Sequence, residues 1–71
     1  MMQTSAVANI RIFLKSKNKS EYRFHKDTGL SKGYLSRVTS MTDISLRMVH
    51  AAYPTLNMHW VVTGEGPMEF I

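Results

Sequence analysis

Residues 20–40 read SEYRFHKDTGLSKGYLSRVTS, and the rest of the chain is best read outward from them. Ser20 is placed as an N-cap. Its hydroxyl can accept a free amide of the first helical turn, and Glu21 beside it suits the positive end of the helix dipole. The helix so started runs to about Thr28, with Phe24 turned inward. Gly29 closes it, because glycine takes the left-handed backbone conformation at little cost. Leu30 follows as a buried plug beside the turn. Ser31 is a second N-cap candidate, and the spacing predicts a further helix from there to about Thr39, with Leu35 and Val38 as its inward pair. Two short helices meeting across a tight, glycine-containing turn make a helix-turn-helix unit.

If Phe24, Leu30, Leu35 and Val38 pack between the two helices, the second keeps one free face. That face holds Ser31, Lys32, Gly33, Ser36, Arg37 and Ser40, all polar or small. The major groove of B-DNA admits one helix; lysine and arginine donate to guanine edges there, and serine pairs with several bases. A glycine at position 33, inside a helix, costs about 1 kcal/mol against alanine. Close approach of backbone to DNA would account for that cost; packing against another backbone is the alternative.

The flanking segments fit a helical body. Val7, Ile10, Phe13 and Leu14 recur at helical spacing between Ser5 and Lys17, with Arg11 and Lys15 off that face and Ile12 without a core role. Asn18 and Lys19 break the pattern. After the loop SMTD, Thr42 or Asp43 caps a fourth helix, ISLRMVHAAY. It turns Ile44 or Leu46, Val49 and Tyr53 inward, with Ala52 close by, and Pro54 stops it. Asn57 caps a short fifth helix carrying Trp60 and Val61, with Trp60 assigned to the core as its one large anchor. Gly64 ends it, and GEGP is a turn. The expected fold is all-α: a compact five-helix bundle in one domain over residues 1–71. Residues 66–71 form a turn and tail where a linker would start.

Composition narrows the function. A chain of 71 residues supports one small core. An apolar share of 44% is enough for a globular domain. There is no cysteine, hence no disulfide framework and no thiolate metal site, which fits a reducing cytoplasm. The start, MMQTSAVANI, lacks the pattern of a signal peptide, and no run approaches the roughly 18 apolar residues of a membrane span. His25, His50 and His59 match no ligand spacing, so no metal is expected. No nucleophile elbow, paired acid and base, or glycine-rich phosphate loop appears. Neither catalysis, a cofactor nor a small-molecule ligand is therefore expected.

The net charge of +4 is unevenly spread. Residues 1–40 carry Arg11, Lys15, Lys17, Lys19, Arg23, Lys26, Lys32 and Arg37 against only Glu21 and Asp27. Beyond them Arg47 stands against Asp43, Glu65 and Glu69. The basic part is a candidate polyanion surface, with a solvated lysine-rich face as the plain alternative.

The stretch TGLSKGYLSR, taken with YPTLNMHWVVTGEGPM, resembles the N-terminal DNA-binding domain of phage CI-type repressors, within the wider Cro/CI (XRE-like) regulators. The pattern carrying the likeness is Gly29, Leu30, Ser31, Gly33, Tyr34 and Leu35, then Tyr53, Pro54, Leu56, Asn57, Trp60, Thr63, Gly64, Glu65, Gly66 and Met68. Val61 and Val62 stand where leucines are usual. The likeness spans roughly Arg11 to Met68. It implies a repressor-like bundle whose second and third helices form the helix-turn-helix, and binding to double-stranded DNA, usually by dimers at palindromic operators; the small apolar patch of Val62, Pro67, Met68, Phe70 and Ile71 points to a monomer or weak homodimer in solution and two copies on DNA. The likeness also implies base-reading roles for Lys32, Gly33, Ser36 and Arg37, to which the free face adds Ser40. It gives backbone contacts to Ser31 and Tyr34; Lys19, Ser20 and Arg23, at the start of the second helix, are further candidates for the backbone. The competing expectation is a protein-interaction module on the same scaffold, antirepressor or antitoxin-like, which should show apolar residues on the outer face of the third helix. A third is sequence-independent nucleic-acid binding.

Overall fold

Side-chain caps set where four of the five helices begin. Ser5 accepts from the Ala8 amide at 3.0 Å, Ser20 from Arg23 at 3.1 Å, Thr42 from Ser45 at 3.2 Å and Asn57 from His59 at 3.0 Å. Each supplies an acceptor to an amide that has no partner within its helix. The computed structural model describes residues 5–38 and 40–70. Its helices are α1 (Ala6–Ser16), α2 (Glu21–Thr28), α3 (Tyr34–Arg37), α4 (Asp43–Ala52) and α5 (Met58–Thr63). Among the described residues there is no strand, only one isolated antiparallel bridge between Leu56 and Glu69. The chain is all-helical.

One core joins the elements. Val7, Ile10, Phe13 and Leu14 of α1 meet Phe24, Leu30, Leu35, Val49, Tyr53, Leu56 and Val61. Helix α1 packs on α5, and α2 on α4. The radius of gyration, 11.2 Å, equals the roughly 11 Å expected of a compact chain of this length. The Tyr53 ring sits edge-on to Phe13 at 5.2 Å between centroids and stacks on Phe24 at 6.4 Å, so one aromatic cluster ties α1, α2 and the end of α4. Among the described residues no helix is long and apolar enough to cross a membrane.

Several expectations are corrected. The third helix does not start at Ser31; it is a single turn from Tyr34 to Arg37, after which Val38 is extended. Thr39, its expected end, lies outside the described residues, as do residues 1–4 and 71. Leu46, not Ile44, is the inward residue early in α4, and Ile44 is 71% exposed. Trp60 packs half-buried against the core, while its neighbour Val61 is fully buried. The large interior rings are instead Phe13, Phe24 and Tyr53.

The segment after Gly66 packs on the fold as far as residue 70. It returns along residues 55–57: the Asn57 amide donates to the Met68 carbonyl at 2.9 Å and the Phe70 amide to the Thr55 carbonyl at 2.8 Å. The Asn57 carboxamide donates to the Pro67 carbonyl at 2.8 Å, and Lys17 pairs with Glu69 at 2.8 Å.

Candidate functional site

The unit of α2, the turn and α3 is held by a buried threonine. Thr28 donates to the Phe24 carbonyl at 2.8 Å and accepts from the Leu30 amide at 3.1 Å, so its hydroxyl serves the helix end and the turn together. Gly29, at φ +81°, returns its amide to the His25 carbonyl at 3.0 Å. His25 Nδ1 donates to the Leu30 carbonyl at 2.6 Å. These bonds leave Leu30 buried beside the turn, as expected.

Beyond Leu30 the chain makes a turn before α3. The Tyr34 amide donates to the Ser31 carbonyl and the Ser36 amide to the Gly33 carbonyl, each at 3.0 Å. Ser31 therefore is no side-chain N-cap; its hydroxyl takes a bond from the Arg37 guanidinium. Gly33 is not inside a helix. It precedes α3 at φ +76°, and a Cβ built there would meet nothing within 4 Å. Its glycine is explained by the left-handed backbone alone, which L side chains rarely adopt.

The expected base-reading residues fall as follows. Lys32, Ser36, Arg37 and Ser40 are exposed and Gly33 is half-buried. Lys32 and Arg37 have no carboxylate partner among the described residues. Ser36 is drawn toward the α1–α2 corner: its hydroxyl donates to Glu21 at 3.4 Å and lies 3.5 Å from the Arg11 guanidinium, which is paired with Glu21.

The backbone set divides. Ser31 and Ser20 are exposed, the latter as the cap of α2. Tyr34 is half-buried and donates its hydroxyl to Ser45 at 2.7 Å, so it anchors α3 to α4. Lys19 and Arg23 converge on Asp27, at 3.7 and 3.1 Å. Tyr53 also donates to Asp27, at 2.8 Å, and Lys19 lies over the Tyr53 ring. Burial, and then the hydrogen bond and charge of Asp27, push the Tyr53 phenol well above its usual range, with Arg23 opposing. Sequence reasoning gave neither Glu21 nor Asp27 a place in the site. The spacing of Arg23 and Asp27, four apart on one helix, was the available signal.

Two concavities adjoin these elements. An open cleft of about 390 Å³ is lined by Arg11, Leu14, Lys15, Asn18, Lys19, Ser20 and Glu21. An apolar groove of about 270 Å³ runs between α4 and α5, lined by Leu46, Arg47, His50, Met58 and Val62. The chain matches no family model, no curated protein and no solved structure.

Proposed function

We propose that the chain is a sequence-specific DNA-binding regulator of the repressor-like helix-turn-helix type, with α2 and α3 as the reading unit. The observation that carries this is the character of the surface around α3. Ser31, Lys32, Ser36, Arg37 and Ser40 are exposed, none is apolar, and the two cations among them have no carboxylate partner among the described residues. Such groups suit guanine edges and phosphates and give a protein partner little to bury. The excess of positive charge over residues 1–40 supports the same reading, and so does the likeness to CI-type repressors.

In this reading Lys32 and Arg37 reach base edges, Gly33 sets the turn that aims them, and Ser31 and Ser20 meet the backbone, while Lys19 and Arg23, expected there as well, are held by Asp27. Single modules bury roughly 600–1,000 Å² on DNA, at the low end for specific complexes. Two weakly associating copies, one helical turn apart on a palindrome, supply the rest. Exposed Val62 and Phe70 are the apolar groups at hand for that association. The tests are selection of bound sequences from a random duplex pool and sedimentation with half-site and full-site duplexes. A palindromic consensus and two copies per full site are expected; no enriched sequence would overturn the reading.

One observation favours a second reading, a module that binds a partner protein. The α4–α5 groove is lined by Leu46, Met58 and Val62 and offers an apolar surface. A partner held there without any DNA preference would support that reading over the first.

A further inference from the structure

The ion pairs sort the cations of the basic half into two groups. Arg11 is paired with Glu21, Lys17 with Glu69, and both Lys19 and Arg23 with Asp27. Among the described residues Lys15, Lys26, Lys32 and Arg37 have no such partner. Asp27 thus engages two of the cations that the sequence pattern offers to the DNA backbone. Its carboxylate is 22% exposed and is fixed from a third side by the Tyr53 hydroxyl at 2.8 Å. Tyr53 itself is buried in the aromatic cluster, so the carboxylate stands on a rigid support.

We infer that Asp27 is a specificity-determining residue of the DNA-binding surface: by holding Lys19 and Arg23 in intramolecular pairs it lowers the attraction to DNA of arbitrary sequence. The inference rests on the DNA-binding reading above. Sequence-independent affinity comes from cations that neutralise phosphates and release counterions. A cation already paired with a fixed carboxylate releases fewer counterions when it meets a phosphate, and the carboxylate repels that phosphate. Discrimination is the ratio of specific to non-specific affinity. A lower background raises that ratio wherever base contacts carry the specific complex.

Asp27→Asn removes the charge and keeps an oxygen that can accept from Tyr53. Tyr53→Phe removes that hydrogen bond and keeps the charge. Both are compared with the parent protein by titrating a labelled duplex of scrambled sequence between about 50 and 200 mM salt. D27N is expected to bind more tightly at low salt. It should lose about tenfold more affinity across the interval, as two added phosphate contacts imply at a slope of about 0.9 each. Y53F should keep the parent's slope. Adding Lys19→Gln and Arg23→Gln to D27N should return the slope to the parent's value.

An unchanged slope for D27N, with the parent protein bound, overturns the inference and spares the DNA-binding reading. Failure of the parent protein to bind any duplex at the lowest salt removes both. If D27N does not melt cooperatively, K19Q/R23Q in the parent decides. The inference expects its slope to stay within about half a unit. A fall of about two units would mean that both cations were free all along, and would overturn it.

Discussion

The Asn9 carboxamide donates to the Val61 carbonyl at 2.9 Å, across 52 positions of sequence, and to the Trp60 carbonyl at 3.3 Å. It thereby joins the first helix to the last. The final carbonyls of a helix have no partner within it. Trp60 also receives the Gly64 amide at 2.7 Å, so Val61 depends more heavily on Asn9. Asn9 is 1% exposed, and no water can replace its donors without opening the core. Asn9→Leu is expected to destabilise the fold by about 1–3 kcal/mol, the cost of leaving buried polar groups unpaired. Asn9→Asp should cost more, since it turns a carboxylate toward two carbonyl oxygens. Urea midpoints of the three proteins measure this; an unshifted midpoint for N9L would show the carbonyls to be served otherwise.

Gly33 offers a test in which sign alone decides. Inside a helix, Gly33→Ala would stabilise by about 1 kcal/mol. At φ +76° the same change should instead destabilise, by about 1–2 kcal/mol, because the added Cβ crowds its own backbone. No neighbour lies within 4 Å, so steric conflict with the rest of the fold adds nothing. Gly33→Asn should cost less than alanine, since asparagine tolerates the left-handed region. Thermal melts of G33A and G33N beside the parent check both the sign and the order.

These two residues also mark where sequence reading stops. Periodicity found α1, α2, α4 and α5 within about two residues, because each has a cap, an apolar stripe and a stop of its own. It overextended the third helix because Ser31 mimics a cap and Leu35 and Val38 lie three apart. Only the backbone angle at Gly33 shows that Lys32 and Gly33 belong to a turn. Asn9 breaks no local rule, and its role appears only once α5 lies against α1. The same holds for Asp27, whose i,i+4 partner Arg23 was visible but whose contacts with Lys19 and Tyr53 depend on the fold. The exposed set around α3 was legible because polar residues between inward-facing ones need no long-range knowledge to place.

Tyr53 gives the fold a pH dependence at its alkaline edge. Its folded pKa lies above the unfolded value of about 10, so the stabilisation is fully present below that value. It is lost as the pH rises from about 10 toward the folded pKa, because the unfolded chain releases the phenolic proton first. Tyr53→Phe has no such proton. The expected result is a urea midpoint that falls more steeply above about pH 10 in the parent than in Y53F. Below about pH 9 the two curves should run parallel, with Y53F displaced downward by the lost hydrogen bond to Asp27. Parallel curves through the whole alkaline range would show that the phenol is not held in its neutral form by burial and Asp27.

Lys32 and Arg37 carry the remaining prediction, which bears on function alone. Both side chains are exposed and neither is in an ion pair among the described residues, so Lys32→Ala and Arg37→Ala should fold as the parent does. Arg37 does give up its bond to Ser31, but that bond lies at the surface, where water replaces it at little cost. On a selected operator each variant should lose about 1–3 kcal/mol of discrimination at the base it contacts, the worth of a good bidentate pair. Ser36→Ala should lose less, because its hydroxyl is already engaged with Glu21 and lies beside Arg11. A contact to phosphate instead of base would weaken all duplexes alike and reduce the salt slope by about one unit per cation. Competition between the selected duplex and single-base variants of it, run at two salt concentrations, separates these outcomes. Unaltered preference in both K32A and R37A, with each still folded, would remove α3 as the reading element and leave the surface around it a general polyanion contact.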